Sequence, residues 1–417
     1  MKIQSRQQIS WALYDWANSA FATTVMAGFF PIFFAKYWAA GLPEAERTYW
    51  LGWAGSIAGI VVMFLAPVLG GIADRRGHKK RYLLLATVLG AVSTAALYLV
   101  AQGDWSTALI LFALGSIGFF AGTAFYDALL VQVAEPTQMD RVSALGYGLG
   151  YLGGGLLFAV NVAMALQPQM FGLANAAIAT RLSFVMVGVW WLLFSLPLFL
   201  NVHETPGVKT GNDFAQLWAT AKRLVGMKPV WLFLCAYWLY IDGVDTVIRM
   251  AVDYGIKLGF EPAALIKALL LVQFIGFPAA IGFGWLAGRI GTLRSIYIAL
   301  AVYVSVTLWA YTLKTEQQFY WMAMAIALVQ GGVQSLSRSY YARLIPADES
   351  GEFFGFYNML GKFAAVLGPL AVGFTAANVG NQRVSILALL PFFVLGALLL
   401  SRVQANLPIT ANTLDPQ

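Results

Sequence analysis

Between Ile9 and Val403, nearly every stretch that separates two charge clusters is an apolar run long enough to cross a bilayer, a crossing that takes roughly 20 residues of helix. About twelve such runs follow one another, near residues 9–37, 48–72, 82–101, 106–133, 142–165, 180–201, 229–251, 265–288, 294–313, 319–343, 351–376 and 383–403. The expected fold class is therefore an all-α integral membrane protein of about 12 transmembrane helices. Its longest non-apolar interval, from Val202 to about Lys228, falls at mid-chain. This predicts an N-terminal six-helix half over 1–201, a central loop over 202–228, and a C-terminal six-helix half with a short tail over 229–417.

Composition supports the membrane reading, since only 11% of residues are charged where a soluble protein carries roughly 25%. The net charge of +7 would favour nucleic acid in a soluble chain, but these cations sit in short loops between apolar runs and act as topology signals. With both termini inside, about 16 Lys and Arg fall in inner segments and about 7 in outer loops, so the positive-inside rule predicts a multi-pass protein of the plasma (inner) membrane with cytoplasmic termini. The opening "MKIQSRQQIS" is short and polar, and no small-residue cleavage pattern ends the run after it; the first run reads as a retained span. Cys235 is the sole cysteine, which excludes a disulfide framework or a cysteine metal site.

Two inner loops match each other. "GGIADRRGHKKR" follows the second run and "GWLAGRIGTLR" the eighth, pairing Gly70 with Gly284, Ala73 with Ala287, Arg75 with Arg289, Gly77 with Gly291 and Lys80 with Arg294, while Asp74 becomes Gly288. A pattern shared at matching places in two six-helix halves is the signature of a parallel repeat. Gly70 to Lys80 resembles the loop motif of the major facilitator superfamily, G-x-x-x-D-R-x-G-x-[KR]-[KR], carried here by Gly70, Asp74, Arg75, Gly77 and Lys80. The resemblance implies the major facilitator fold and a cytoplasmic gate in which Asp74 faces the start of span eleven, its charge suited to a helix N-terminus, while the glycines let spans two and eleven approach. Together with "YIDGVDTVI" in span seven, the stretch "YDWANSAFAT" in span one resembles bacterial relatives of the vacuolar, autophagy-type amino-acid effluxers.

Polar residues recur inside the runs at helical spacing. In span one, Asp15, Asn18, Ser19, Ala22 and Thr23 share a stripe, and in span seven Trp238, Asp242, Asp245, Thr246 and Arg249 share another. These spans are equivalent in the two halves, and in the fold that the resemblance implies both line the central cavity, so the stripes are expected to face each other across a central pathway. Thr123 and Asp127 add to it from span four, Gln273 from span eight, Gln330, Gln334 and Arg338 from span ten, Asn358, Gly361 and Lys362 from span eleven, and Tyr147, Gly150 and Tyr151 from span five. A charged side chain at mid-bilayer costs roughly 2.5–3.5 kcal/mol, so such groups must pair, meet water or serve function. Asp127 has no opposite charge in its own helix and needs a partner or a proton. Asp245 and Arg249, one turn apart, also suit a structural ion pair, and Asp15, roughly 10 Å into its span, suits a gate as well as a binding role. Trp11, Trp16, Trp38, Trp50 and Trp53 read as interfacial aromatics.

Three functions fit a chain of this kind. A secondary transporter working by alternating access needs no cofactor or metal, and no Walker motif is present; its partners are a small-molecule substrate, a proton or sodium ion, and membrane lipid, with no nucleic acid, and a monomer suffices. A lipid-modifying enzyme finds little support in two loop histidines, His78 and His203, outside any metal-ligand pattern. A non-transporting receptor would need a soluble domain, and the central loop of about 25 residues is too short for one, although "FAQLWATAKRLV" within it reads as an amphipathic helix on the inner membrane surface. Within the transporter class, mixed charges suit an amino acid; the same inventory suits a sugar, and a lysophospholipid or drug remains open.

Overall fold

The computed structural model describes residues 5–205, 213–257, 259–379 and 382–405. Twelve helices in it are long and apolar enough to cross a membrane: α1 (Arg6–Trp38), α2 (Glu44–Arg76), α3 (Lys79–Leu99), α4 (Trp105–Val133), α5 (Met139–Leu166), α6 (Ala176–Asn201), α7 (Lys228–Lys257), α8 (Pro262–Ile290), α9 (Thr292–Tyr311), α10 (Glu316–Leu344), α11 (Ser350–Val379) and α12 (Ile386–Val403). Among the described residues there is no strand. Hydrocarbon offers backbone N–H and C=O groups no water, so they bond within each helix. The ends are capped locally: Ser5 and Gln8 bond reciprocally ahead of α1, and the side chains of Asp104, Asn175 and Thr315 accept backbone N–H groups at the starts of α4, α6 and α10. Gly77 (φ 62°) ends α2 and Gly291 (φ 93°) ends α8. The two glycines matched by the sequence repeat thus share one conformational task, a positive φ that a side chain disfavours.

Packing repeats as the loops do. α1 lies on α5 and α6 as α7 lies on α11 and α12; α2 packs on α4 as α8 packs on α10; between the two sets of six, α2 meets α11 as α8 meets α5. α1 passes through wide π turns at Phe21–Phe29 and Phe34–Trp38. Its polar stripe stays in step with α5, for ideal Cβ atoms placed on Gly150 and Gly154 would lie 2.6 Å and 2.8 Å from the hydroxyl oxygens of Ser19 and Thr23, and Thr23 also bonds Gln273 of α8.

The seam between α2 and α11 is tight at one end only. At the end bearing the α2–α3 loop, a Cβ on Gly70 would lie 2.1 Å from the Gly351 carbonyl oxygen and one on Gly355 2.5 Å from Pro67 Cα. Toward the other end, Gly52, Gly55 and Gly59 of α2 and Gly373 of α11 have no such neighbour within 4 Å. The two helices meet at the loop end, which we term the basic face, and part toward the opposite one.

Candidate functional site

Arg338 organises the interior. It is 2% exposed, six residues before the end of α10, and its guanidinium enters a cage made wholly by helices of the first six. Nη1 donates to Asp127 Oδ1 at 3.0 Å, both terminal nitrogens reach Asp15 Oδ2 at 3.3–3.4 Å, Nε donates to the Ser143 hydroxyl at 2.9 Å and Nη2 to the Ser143 carbonyl at 3.0 Å. Its carbon lies 4.8 Å from the ring centre of Trp11, 5.3 Å from that of Tyr126 and 4.4 Å from that of Tyr147, contacts that favour a planar cation over an ammonium. Each carboxylate has one further donor: the Tyr126 hydroxyl to Asp15 at 2.8 Å and the Asn358 amide to Asp127 at 3.2 Å. Two carboxylates against one guanidinium leave one formal negative charge in excess, which a single proton cancels. The partner that Asp127 requires is therefore Arg338, brought from the other half of the chain.

At the basic face, Asp74 accepts the backbone N–H groups of Gly351 and Glu352 at 2.9 and 2.8 Å. Those are orphan donors of the first turn of α11, where a carboxylate complements the helix dipole. The cation on Asp74 is Lys79, at 2.5 Å and 4% exposed, rather than Lys80. Lys80 instead donates Nζ to the Val202 carbonyl at 2.6 Å and its N–H to Glu204 at 3.2 Å. The reason is the turn at Gly77: α3 starts at Lys79, whose side chain turns back on the end of α2, and the next residue points toward the end of α6. Burial pushes the Glu204 carboxyl above its ordinary range against the backbone donors of Lys79 and Lys80. Arg75 lies beside Glu352.

The equivalent seam between α5 and α8 is closed differently. Gly288 supplies no carboxylate there; Asp140, in the first turn of α5, accepts from Thr292 at 2.7 Å and pairs with Arg343 at 3.1 Å, and Ser339 bonds it too. α8 is held by a close approach, a Cβ on Gly284 falling 2.5 Å from Ala144 Cβ. Replacing Asp140 by Ala is expected to loosen this seam alone, raising solvent access to a cysteine at position 292 while leaving one at position 350 as protected as before, read by alkylation rate.

The acidic residues of the stripes in spans one and seven have different near partners. Asp15 is taken by α4 and α10, whereas Asp242, 1% exposed, turns to α11 and accepts the Gly368 N–H at 2.9 Å and the Thr246 hydroxyl at 3.4 Å. Gly368 has no side chain to obstruct this, and Pro369 after it disrupts the helical ladder locally. Asp245, Trp238, Gln334 and Lys362 are partly buried; Lys362 Nζ lies 3.6 Å from the centre of the Phe120 ring, and Asp245 lies in the field of Tyr147 and Tyr237. Asn18 and Asn358 are buried. The side chain of Arg249 lies outside the described residues. Trp11 and Trp38, read as interfacial, are fully buried, whereas Trp50 and Trp53 are exposed. Trp11 stacks on Tyr126 at 4.4 Å and donates to its carbonyl. Sequence reasoning missed Tyr126, Ser143, Asp140, Thr292 and Arg343 in this machinery; Tyr126 beside Asp127, and an Arg–Asp pair at equivalent loop ends, were the available signals.

Residues 52–407 match the family model described as "Vacuole effluxer Atg22 like". The chain belongs to the Atg22-like effluxer family. It is 38% identical over 410 residues to an MFS-type transporter, YxiO, of Bacillus subtilis (strain 168), covering 97% of this chain and 96% of that protein. It is 26% identical over 288 residues to Autophagy-related protein 22-2 of Aspergillus clavatus, 61% of this chain and 46% of the relative, so it spans about half the length of that fungal protein. Among solved structures, the proton:xylose symporter XylE (TM-score 0.71, 14% identical, 95% of this chain and 94% of that one) and FucP in its outward conformation (0.70, 12%, 95% and 97%) share the fold. This is the major facilitator fold, and the family and fold are those of transporters rather than enzymes.

Proposed function

We propose that this effluxer-family protein moves a small polar solute, an amino acid, out of the cell by proton-coupled alternating access in the bacterial plasma membrane. In this reading the basic face and both termini are cytoplasmic, as the distribution of Lys and Arg favours, and the chain works as a monomer of two six-helix halves, 1–201 and 229–417, joined by 202–228. The observation that carries it is Arg338, a cation of one half held by Asp15 and Asp127 of the other. While both carboxylates are ionised, the guanidinium ties the halves together beneath the closed basic face; a proton arriving from the open side cancels one attraction and frees the halves to rock. Asp74, Arg75, Gly70, Gly77 and Lys80, with Lys79, form the gate above it. Asn18, Ser19, Trp238, Asp245, Gln334 and Lys362 offer the solute donors and acceptors of both signs, which suits an α-carboxylate beside an α-ammonium.

Proteoliposomes with an imposed pH gradient test the reading directly. Gradient-driven movement of amino acids is expected, with Asp127→Asn losing gradient dependence while retaining exchange of labelled for unlabelled solute. Transport unchanged when an ionophore collapses the gradient, or movement of sugars and not amino acids, would sink it.

A further inference from the structure

The central interval contains a helix, Asp213–Gly226, that packs against α2 and α7. Its two sides do different things. On the inner side Leu224 is 3% exposed and Thr220 2% exposed; Thr220 bonds the Glu352 carboxylate, and Arg223 pairs with Glu349 and lies 5.6 Å from the Phe353 ring. These contacts fall on the first turn of α11, where Asp74 is seated. On the outer side, at spacings of four and three, are Trp218 (67% exposed), Lys222 and Val225 (55% exposed), with Lys222 Nζ 5.7 Å over the Trp218 ring. From Phe214 to Ile241 the chain has no acidic residue, and it carries Lys222, Arg223 and Lys228. Trp231, in the first turn of α7, is exposed as well. An indole, an aliphatic side chain and an exposed ammonium on one face, at the end of twelve spanning helices, match the level where bilayer meets water.

We infer that Trp218, Lys222 and Val225 form a docking surface for the headgroups of anionic phospholipids, and that lipid held there steadies the closed basic face through Arg223 and Thr220. The device is independent of which solute or coupling ion is used. Cationic side chains near an anionic leaflet gain attraction that falls off within a Debye length, so the contact is salt-sensitive; the indole sets its depth.

The test uses the full chain with Cys235→Ser and Val225→Cys, an environment-sensitive fluorophore on the new cysteine, in vesicles of phosphatidylcholine alone or mixed with phosphatidylglycerol. Emission is expected to shift to the blue with rising phosphatidylglycerol and to return with salt. Lys222→Glu is expected to raise the anionic fraction giving half the shift by at least roughly fivefold. In a second series Arg223→Gln keeps the blue shift but abolishes the slowing, by phosphatidylglycerol, of alkylation at a cysteine that replaces the buried Ser350. Equal emission in the two vesicle types, or a lipid shift indifferent to Lys222→Glu, would overturn the docking surface; a shift with no effect of lipid on alkylation would overturn its coupling to the gate. A water-like emission restored to blue only by added soluble protein would assign the face to a protein partner instead.

Discussion

Replacing Arg338 by Gln is expected to abolish solute transport and to loosen the closed basic face. The substitution leaves Asp15 and Asp127 facing each other in a cage built for a cation, with Ser143, Trp11, Tyr126 and Tyr147 around an empty place. Removing one partner of a buried pair costs about 3–5 kcal/mol, and if that loss falls on the closed state its population drops by roughly two to four orders of magnitude. Arg338→Lys is expected to restore little, because a point ammonium cannot span both carboxylates and the Ser143 carbonyl at once. The triple variant Arg338→Gln, Asp15→Asn, Asp127→Asn removes the unpaired charge and should recover thermal stability in detergent without recovering gradient-driven transport. Wild-type transport by Arg338→Gln would remove the cluster from the mechanism.

The second large effect is expected from one methyl group. In Gly70→Ala the new Cβ would lie 2.1 Å from the Gly351 carbonyl oxygen and 2.6 Å from its carbon, backbone atoms that cannot swing aside as a side chain does. The protein should fold, because this contact lies between the two sets of six helices rather than within either, but its basic face should stay open. Alkylation of a cysteine replacing the buried Ser350, in a Cys235→Ser background, should then be fast where in the parent it is slow. Gly52→Ala, with nothing within 4 Å of its new methyl, should behave as the parent does. Equal protection in both variants would show that α2 and α11 part without strain.

Much of the candidate site was visible along the chain, and its pairings were not. Asp15, Asp127, Arg338 and Asn358 stand out because an ionisable or amide group in an apolar run must be paid for, and Asp74 through its motif. Helical spacing states which residues share a face; it does not state which neighbour that face meets. Asp242 illustrates the limit, since its spacing names the residues of its own stripe and only the packing brings it the Gly368 N–H, beside Pro369. Trp11 illustrates another: an indole near a helix end has the same sequence signature whether it lies in the lipid interface or over a guanidinium.

What the sequence determined by itself was the number of spans, the parallel repeat and the loop motif from Gly70 to Lys80, because bilayer thickness sets the length of an apolar run and a positive φ after α2 and α8 favours glycine at Gly77 and Gly291. Tertiary structure alone decided that one cation of α10 would answer two carboxylates of α1 and α4, 323 and 211 positions away in the chain. Charges that remote carry no local pattern; only the packing that excludes water from between the helices makes their partnership the least costly arrangement.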